Sequence, residues 1–457
     1  MKKKLLSVSL AAVMALSMTA CGSTAVEAPA ETPAATTEAA AETTAATEAA
    51  GDAADYEECE ISFDWWGGDS RHEATLAAIE AFQAKYPGIT VKYNYGAWTD
   101  YETARALEFQ SKTAADVNQI NFNWIGDYDA DGSVFLDLNT VSDTLDLSQW
   151  GDEYLDMMKD VNGGLAAVPV SMTGRIFYWD KTTFDEAGIE IPKSLADLRA
   201  AGKTFAEKLG DDYYPLALGP YDRMIMATLY LQSKLDQPII ADGTFNYTEE
   251  QLKDGLDFIQ SLEDDHVIPS LETIDGDAAD SFDVNEKFIS GKYAGILEWD
   301  SAPKKYVSAL GDARELVVGE EFTDFGGKST GVFYKVSMAM AISTTCEHPK
   351  EAAMLINYLL NDPEGVAIMA TERGIPQSEI AVKTLSDADA LDPLILEAHN
   401  KVMDSAAFAL DPKFEDSGLK STDNGVYKDA FDGISYGDYT TEEAAGILFD
   451  AFTEVCQ

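Results

Sequence analysis

Three short stretches of this chain combine indole rings with hydrogen-bonding side chains. Trp65, Trp66, Asp69, Arg71 and His72 lie in the first (WWGGDSRH, 65–72). Trp98 and Tyr101 lie in the second, and Asn121, Asn123 and Trp124 in the third. Aromatic faces stack on the apolar C–H faces of sugar rings, while Arg, Asn and Asp pair with hydroxyls. Ligand pockets combine apolar walls with a few placed polar groups in this way. Any one Trp is as well explained by core packing, since Trp is highly buried on average. Three together favour a binding site, provided that the fold brings them to one rim.

The flanking sequence predicts such a fold. Cys59–Trp66 has strand character, and Glu73–Tyr86 sets Leu76, Ile79, Phe82 and Tyr86 at helical spacing. Pro87-Gly88 stops that helix, and Ile89–Tyr95 alternates like a strand. A second helix is predicted around Asp100–Lys112 and a third strand over Asp116–Phe122. This β-α-β-α-β opening implies a parallel sheet with right-handed crossovers. Ligands of open sheets sit beyond the carboxyl ends of the strands, where all three aromatic stretches fall.

Several stretches resemble the extracellular solute-binding proteins of carbohydrate ABC importers, the family typified by maltose-binding proteins. They are WWGGDSRH (65–72), FQAKYPGITV (82–91), VPVSMTGRIFYWDKTTFDEAG (168–188), LEWDSAP (297–303) and KEAAMLINYLLNDPEGVAIMATERGIP (350–376). Together they run in family order over most of residues 58–380. The resemblance implies an α/β, two-lobe periplasmic-binding-protein-like fold, with crossing hinge segments and a ligand cleft between lobes. It places crossings around Pro169–Ile176, Ile296–Trp299 and Gly326–Phe333. The N-terminal lobe is then 56–170 with 297–328, and the C-terminal lobe 171–296 with 329–457. Family position puts Arg175, Trp299, Asp300, Phe333 and Tyr334 on the cleft, and Tyr221 and Arg223 are further candidates. Arg373 also lies in a family motif, where holding its turn explains it equally well.

Arg71, His72 and Arg175 bear on the ligand. Arg offers a planar fork suited to carboxylates, which makes a uronic-acid oligosaccharide one reading. The preferred reading pairs each Arg with an internal carboxylate, Asp64 and Asp69 being close to Arg71, or with neutral sugar hydroxyls. Several Trp platforms favour an oligosaccharide over a monosaccharide.

The amino terminus says where the chain works. Met1-Lys2-Lys3-Lys4, an apolar stretch from Leu5 to Met18, and Thr19-Ala20-Cys21 read as a signal peptide over 1–20. Its apolar stretch is shorter than the roughly 20 residues that span a bilayer. Cys21 after Thr-Ala resembles a bacterial lipobox, which implies lipidation at Cys21. Residues 21–55 are mostly Ala, Thr and Glu, too poor in apolar surface to order, and read as a tether. The expected place is the outer face of the cytoplasmic membrane, with a lipid anchor and ABC permease subunits as partners. Residues 56–457 exceed the ~250–300 residues at which single cores stop growing, so two lobes are expected.

The formal charge of −49 opposes binding to nucleic acid and anionic lipid. Cys59, Cys346 and Cys456 are odd in number and widely spaced, giving no disulfide framework and no metal motif. Asp127–Gly132 begins like a calcium loop, but Leu138 stands where Glu is needed, so it reads as an acidic turn. His266, His348 and His399 are expected on surfaces or helix ends. A glycoside hydrolase would need two carboxylates across the scissile bond, and 81 acidic residues leave that alternative open. No nucleophile elbow, P-loop, H-E-x-x-H or dinucleotide fingerprint occurs. The expectation is therefore a monomeric carbohydrate-binding protein with no enzyme activity, cofactor or metal. A carbohydrate-active enzyme and a receptor for a non-sugar solute are the alternatives.

Overall fold

The computed structural model describes residues 56–98, 101–279 and 281–457. The expected signal peptide, Cys21 and tether lie outside them. Strands β1 (Cys59–Trp66), β2 (Ile89–Gly96) and β3 (Val117–Ile120) are joined by helices Asp69–Lys85 and Tyr101–Ser111. β1 pairs in parallel with both β2 and β3, as the opening pattern predicts. The first helix buries Ala78, Ile79 and Phe82 and stops at Tyr86, before Pro87-Gly88. It begins at Asp69, four residues before the expected start at Glu73, so Arg71 and His72 stand on its first turn.

The chain continues through β4 (Val168–Thr173), β5 (Arg175–Asp180), the hairpin β6 (Ile240–Ala241) and β7 (Thr244–Phe245), and β8 (Gly295–Trp299). β9 (Leu316–Val318), β10 (Phe333–Ile342) and β11 (Phe408–Ala409) complete the strands. One sheet runs β11-β10-β3-β1-β2, with β4 also paired to β10; a second runs β8-β5-β9. β4 and β5 are buried at every position, which fits their nearly continuous apolar sequences.

Gly174 separates β4 in the first sheet from β5 in the second. A Cβ there would come within 2.5 Å of both the Phe333 carbonyl oxygen and Val402 Cγ1. Glycine alone lets the three segments meet at this crossing.

Strand pairing runs across the expected lobe boundaries. Within 297–328, assigned above to the N-terminal lobe, β8 and β9 instead flank β5. Within 329–457, assigned to the C-terminal lobe, β10 pairs with β3 and β4. Helices Pro349–Leu360 and Pro363–Met369 pack on β1 and on helix Asp69–Lys85. Backbone pairing outweighs proximity in sequence here, because every position of β10 but Tyr334 is buried and its donors must be matched inside a sheet. The final helices, Val426–Tyr436 and Thr441–Val455, do pack against Pro220–Leu235 and Glu249–Asp264 of the second half.

No helix among the described residues is long and apolar enough to cross a membrane. In the acidic turn, Asp129 accepts the Val134 and Phe135 N–H groups at 2.7 and 3.2 Å. Its carboxylate caps backbone.

Candidate functional site

Alternation along β1 sends Trp65 and Trp66 to opposite faces. Trp66 meets Trp98 edge-on at 5.0 Å, Tyr101 at 5.6 Å and Trp124 at 5.6 Å between ring centroids. The three predicted stretches therefore do converge beyond the strand ends. Within the cluster Trp98 is half-buried, Trp66 is 8% exposed and Trp124 is 0% exposed. Trp124 donates its indole N–H to Glu102 at 2.8 Å and floors the cluster without reaching its surface.

Trp65 does not join them. It is fully buried, stacks on Tyr95 at 5.0 Å and donates its indole N–H to His72 Nδ1 at 3.1 Å. Accepting that bond keeps Nδ1 unprotonated. Partial burial, with Arg71 and Arg373 nearby, lowers the His72 pKa. Both residues thus serve the far face of β1.

A carboxylate that the sequence reading missed organises the centre. Glu415, 1% exposed, accepts the Lys335 ammonium at 2.7 and 2.6 Å and the Tyr221 hydroxyl at 2.7 Å. Asn121 Nδ2 donates to it at 3.1 Å and Lys420 at 3.2 Å. Asn123 donates to the Glu415 carbonyl at 2.9 Å and to Asp127 at 2.7 Å. β3, β10 and helix Pro220–Leu235 are thereby tied to one residue. Despite its burial, the Lys335 and Lys420 charges hold Glu415 well below the usual carboxylate range. Burial brings Lys335 down to about 8, against the pull of Glu415. Lys420 also lies 5.4 Å from the centroid of Trp98.

Trp299 stands next to this network, half-buried between two cations. The Arg175 guanidinium lies 4.3 Å from its centroid and Lys335 Nζ 4.5 Å. Arg175 is internally neutralised, with Glu298 at 3.0 Å and Asp222 at 3.1 Å, and Nη1 also donates to the Leu297 carbonyl at 2.7 Å.

Three expected site residues are committed elsewhere, and a fourth, Phe333, packs behind Trp299. Asp300 accepts the Thr173 hydroxyl and contacts His399 Nδ1 at 2.9 Å; His399 is correspondingly buried, not on the surface. Phe333 is 1% exposed and lies edge-on to Trp299 at 6.5 Å and toward Phe414. Arg223 is buried among Glu263 and the Leu218 and Pro269 carbonyls. Tyr334 is half-buried where β10 pairs with β11.

Arg71 is held differently from Arg175. Its Nε donates to the Glu372 carbonyl at 2.8 Å and Nη1 to the Trp66 carbonyl at 3.2 Å. The expected partners are not used: Asp64 pairs with Arg105, and Asp69 is exposed. The Glu372 carboxylate accepts Ser70 and Lys304, each at 2.7 Å. Arg373 donates to Gln119 at 2.8 Å and Thr75 at 3.0 Å, and its Nη2 is buried without a hydrogen-bond partner among the described residues. It does hold its turn, as one reading of its motif has it. Burial lowers Arg71 to about 10 and Arg373 further, with Arg71 adding its repulsion.

A family model for bacterial extracellular solute-binding proteins matches residues 77–390. The chain is similar to a periplasmic oligogalacturonide binding protein from Yersinia enterocolitica, solved in complex with saturated digalacturonic acid. They share 33% identity over 87% of this chain and 100% of that one, with a TM-score of 0.82. A periplasmic solute binding protein from Pectobacterium atrosepticum shares 34% identity over 87% and 98% of the two chains, with a TM-score of 0.81. A binding protein of Brucella abortus is 24% identical over 146 residues, so the match spans only 33% of that curated relative's length. The chain belongs to the bacterial extracellular solute-binding proteins.

Proposed function

We propose that this chain is the receptor of a carbohydrate ABC importer, and that it binds a uronic-acid oligosaccharide between its lobes and hands it on unchanged. The observation that carries the uronate class is Arg71. Its guanidinium contacts main-chain carbonyls beside the aromatic cluster, while the nearest carboxylate, Glu372, is taken by Lys304 and Ser70. A partly buried cation in that state gains from an incoming carboxylate through a charge-assisted, bidentate pair. The ligand of the Yersinia relative, a digalacturonic acid, supports the same class. Trp98 and Trp299 are the half-buried indoles available for stacking, with Trp66 behind Trp98.

Binding then shifts an open–closed equilibrium of the two lobes. We place the crossings at 173–175, between β9 and β10, and between residues 387 and 408. In this reading Cys21 carries the lipid, the protein acts as a monomer at the outer face of the cytoplasmic membrane, and no bond of the sugar is broken. The test is thermal melting of the purified chain with neutral and uronic-acid oligosaccharides. A ligand that binds only the folded state raises the melting temperature. A saturable rise with uronates, with the sugar recovered intact, is expected. A rise with neutral sugars alone would remove the uronate assignment, and a cleaved sugar would make the protein an enzyme.

A further inference from the structure

The opposite end of the first sheet carries a second constellation. Cys59 is the first residue of β1. His348 is the N-cap of helix Pro349–Leu360, and Glu351 is the third residue of that helix. One donor atom from each of Cys59, His348 and Glu351 lies within 4.8 Å of the others. Around one tetrahedral zinc ion, sulfur at ~2.3 Å, nitrogen at ~2.0–2.1 Å and oxygen at ~2.0–2.2 Å from the metal stand roughly 3.3–3.7 Å apart. Small side-chain rotations close the difference.

We propose that Cys59, His348 and Glu351 form a binding site for one Zn²⁺-class divalent transition-metal ion. Thiolate, imidazole and carboxylate are the donor set such an ion takes, and a hard oxygen-seeking cation would not select the thiol. Glu57 Oε2 lies 3.6 Å from His348 Nδ1, placed to orient the imidazole as carboxylates do around zinc-bound histidines. The fourth position is left to water. Cys59 and His348 are half-buried and Glu351 is 3% exposed, so the ion enters from solvent and rests against the core.

The local charge favours a cation. The Glu351, Glu57 and Asp116 carboxylates all lie close enough to act on the Cys59 thiol. The helix amino terminus opposes the ion with only about half a charge. The spacing of cysteines hides this site, because its ligands come from opposite ends of the folded region. Bound metal would pin the start of β1 to the helix that packs on it, at the sheet end away from the sugar cluster.

The test uses the reduced, metal-stripped full chain titrated with Co²⁺ and then Zn²⁺. The expected result is one Co²⁺ per chain with a thiolate-to-metal charge-transfer band, displaced by Zn²⁺, and a Zn²⁺-dependent rise in melting temperature. Cys59→Ser should abolish the band. His348→Gln and Glu351→Gln, the latter keeping an acceptor for the Glu57 N–H at 2.8 Å, should weaken Zn²⁺ binding at least tenfold. Cys346→Ser should leave the band in place. If Cys59→Ser fails to fold, the half-buried His348→Gln carries the test alone. The site is overturned by the absence of a band in the wild type, by a band that survives Cys59→Ser, or by unchanged Zn²⁺ affinity in His348→Gln.

Discussion

Arg71 and Arg175 each sit beside a tryptophan, and the protein treats their charges in opposite ways. Arg175 touches Trp299 and is neutralised by Glu298 and Asp222. Arg71 touches the Trp66 backbone and is held by two carbonyls. A charge already paired within the protein has little left to offer a ligand carboxylate, whereas one whose hydrogen bonds go to carbonyls, with Glu372 acting on it without a direct bond, has more. On the proposed reading, Arg175 builds the site and Arg71 meets the ligand.

The building side predicts the largest effect. Lys335→Met leaves the Glu415 carboxylate buried without its main partner. Removing one partner of a buried pair costs about 3–5 kcal/mol. Urea unfolding should show a loss of that order; a loss under about 1 kcal/mol, the size of an exposed pair, would mean that the network is solvated and the contrast is weaker than drawn.

Next come the two arginines themselves. Arg71→Ala should weaken uronate binding by about 1.5–3 kcal/mol, the scale of hydrogen bonds to a charged group, with little change in melting. Arg175→Met should show the reverse balance, losing stability first because Glu298 and Asp222 are left unpaired. Calorimetry and melting on both variants would break the comparison if Arg175→Met cost affinity alone. Trp98→Ala, which removes a half-buried stacking face, should cost about 1 kcal/mol of affinity. Equal affinity in variant and wild type would remove Trp98 from the site.

The smallest effect is in pH. The folded-state pKa of Glu415 lies below its unfolded value, so its contribution is present above about pH 4.3 and is lost as pH falls toward the folded value. Lys335 is shifted down to about 8, so the fold disfavours its charged form and stability again rises with pH, here from about 8 toward 10.4. The Lys335→Met, Glu415→Gln double variant should therefore lose less stability than wild type between pH 5 and pH 3, read by urea midpoints. A parallel loss would place the acid sensitivity elsewhere.

The opening β-α-β-α-β unit was legible because its helix stripe and alternating strands repeat at the periods the core demands. The convergence of Trp66, Trp98, Tyr101 and Trp124 followed from the rule that strand carboxyl ends face one rim. Trp65 was misplaced with them because neighbouring strand residues point apart. Lys335 carried no motif signal, although it shares a strand face with Phe333 two positions before it. Glu415 carried no local signal: it is one of 81 acidic residues, and its partners come from β3, β10 and a distant helix. Motif position suggested Asp300, but Thr173 and His399 claim its carboxylate. The pairings that cross the expected lobe boundaries were not legible, because strand pairing is decided between segments far apart in sequence.

The most direct test of the central claim is isothermal titration of the purified chain with a galacturonic-acid oligosaccharide, repeated with a neutral oligosaccharide of equal length and in Arg71→Ala. Saturable one-site binding of the uronate, recovered intact, is expected, with the neutral sugar markedly weaker and the Arg71→Ala isotherm weakened toward it. Equal binding of both sugars, or an Arg71→Ala isotherm identical to wild type, would contradict it.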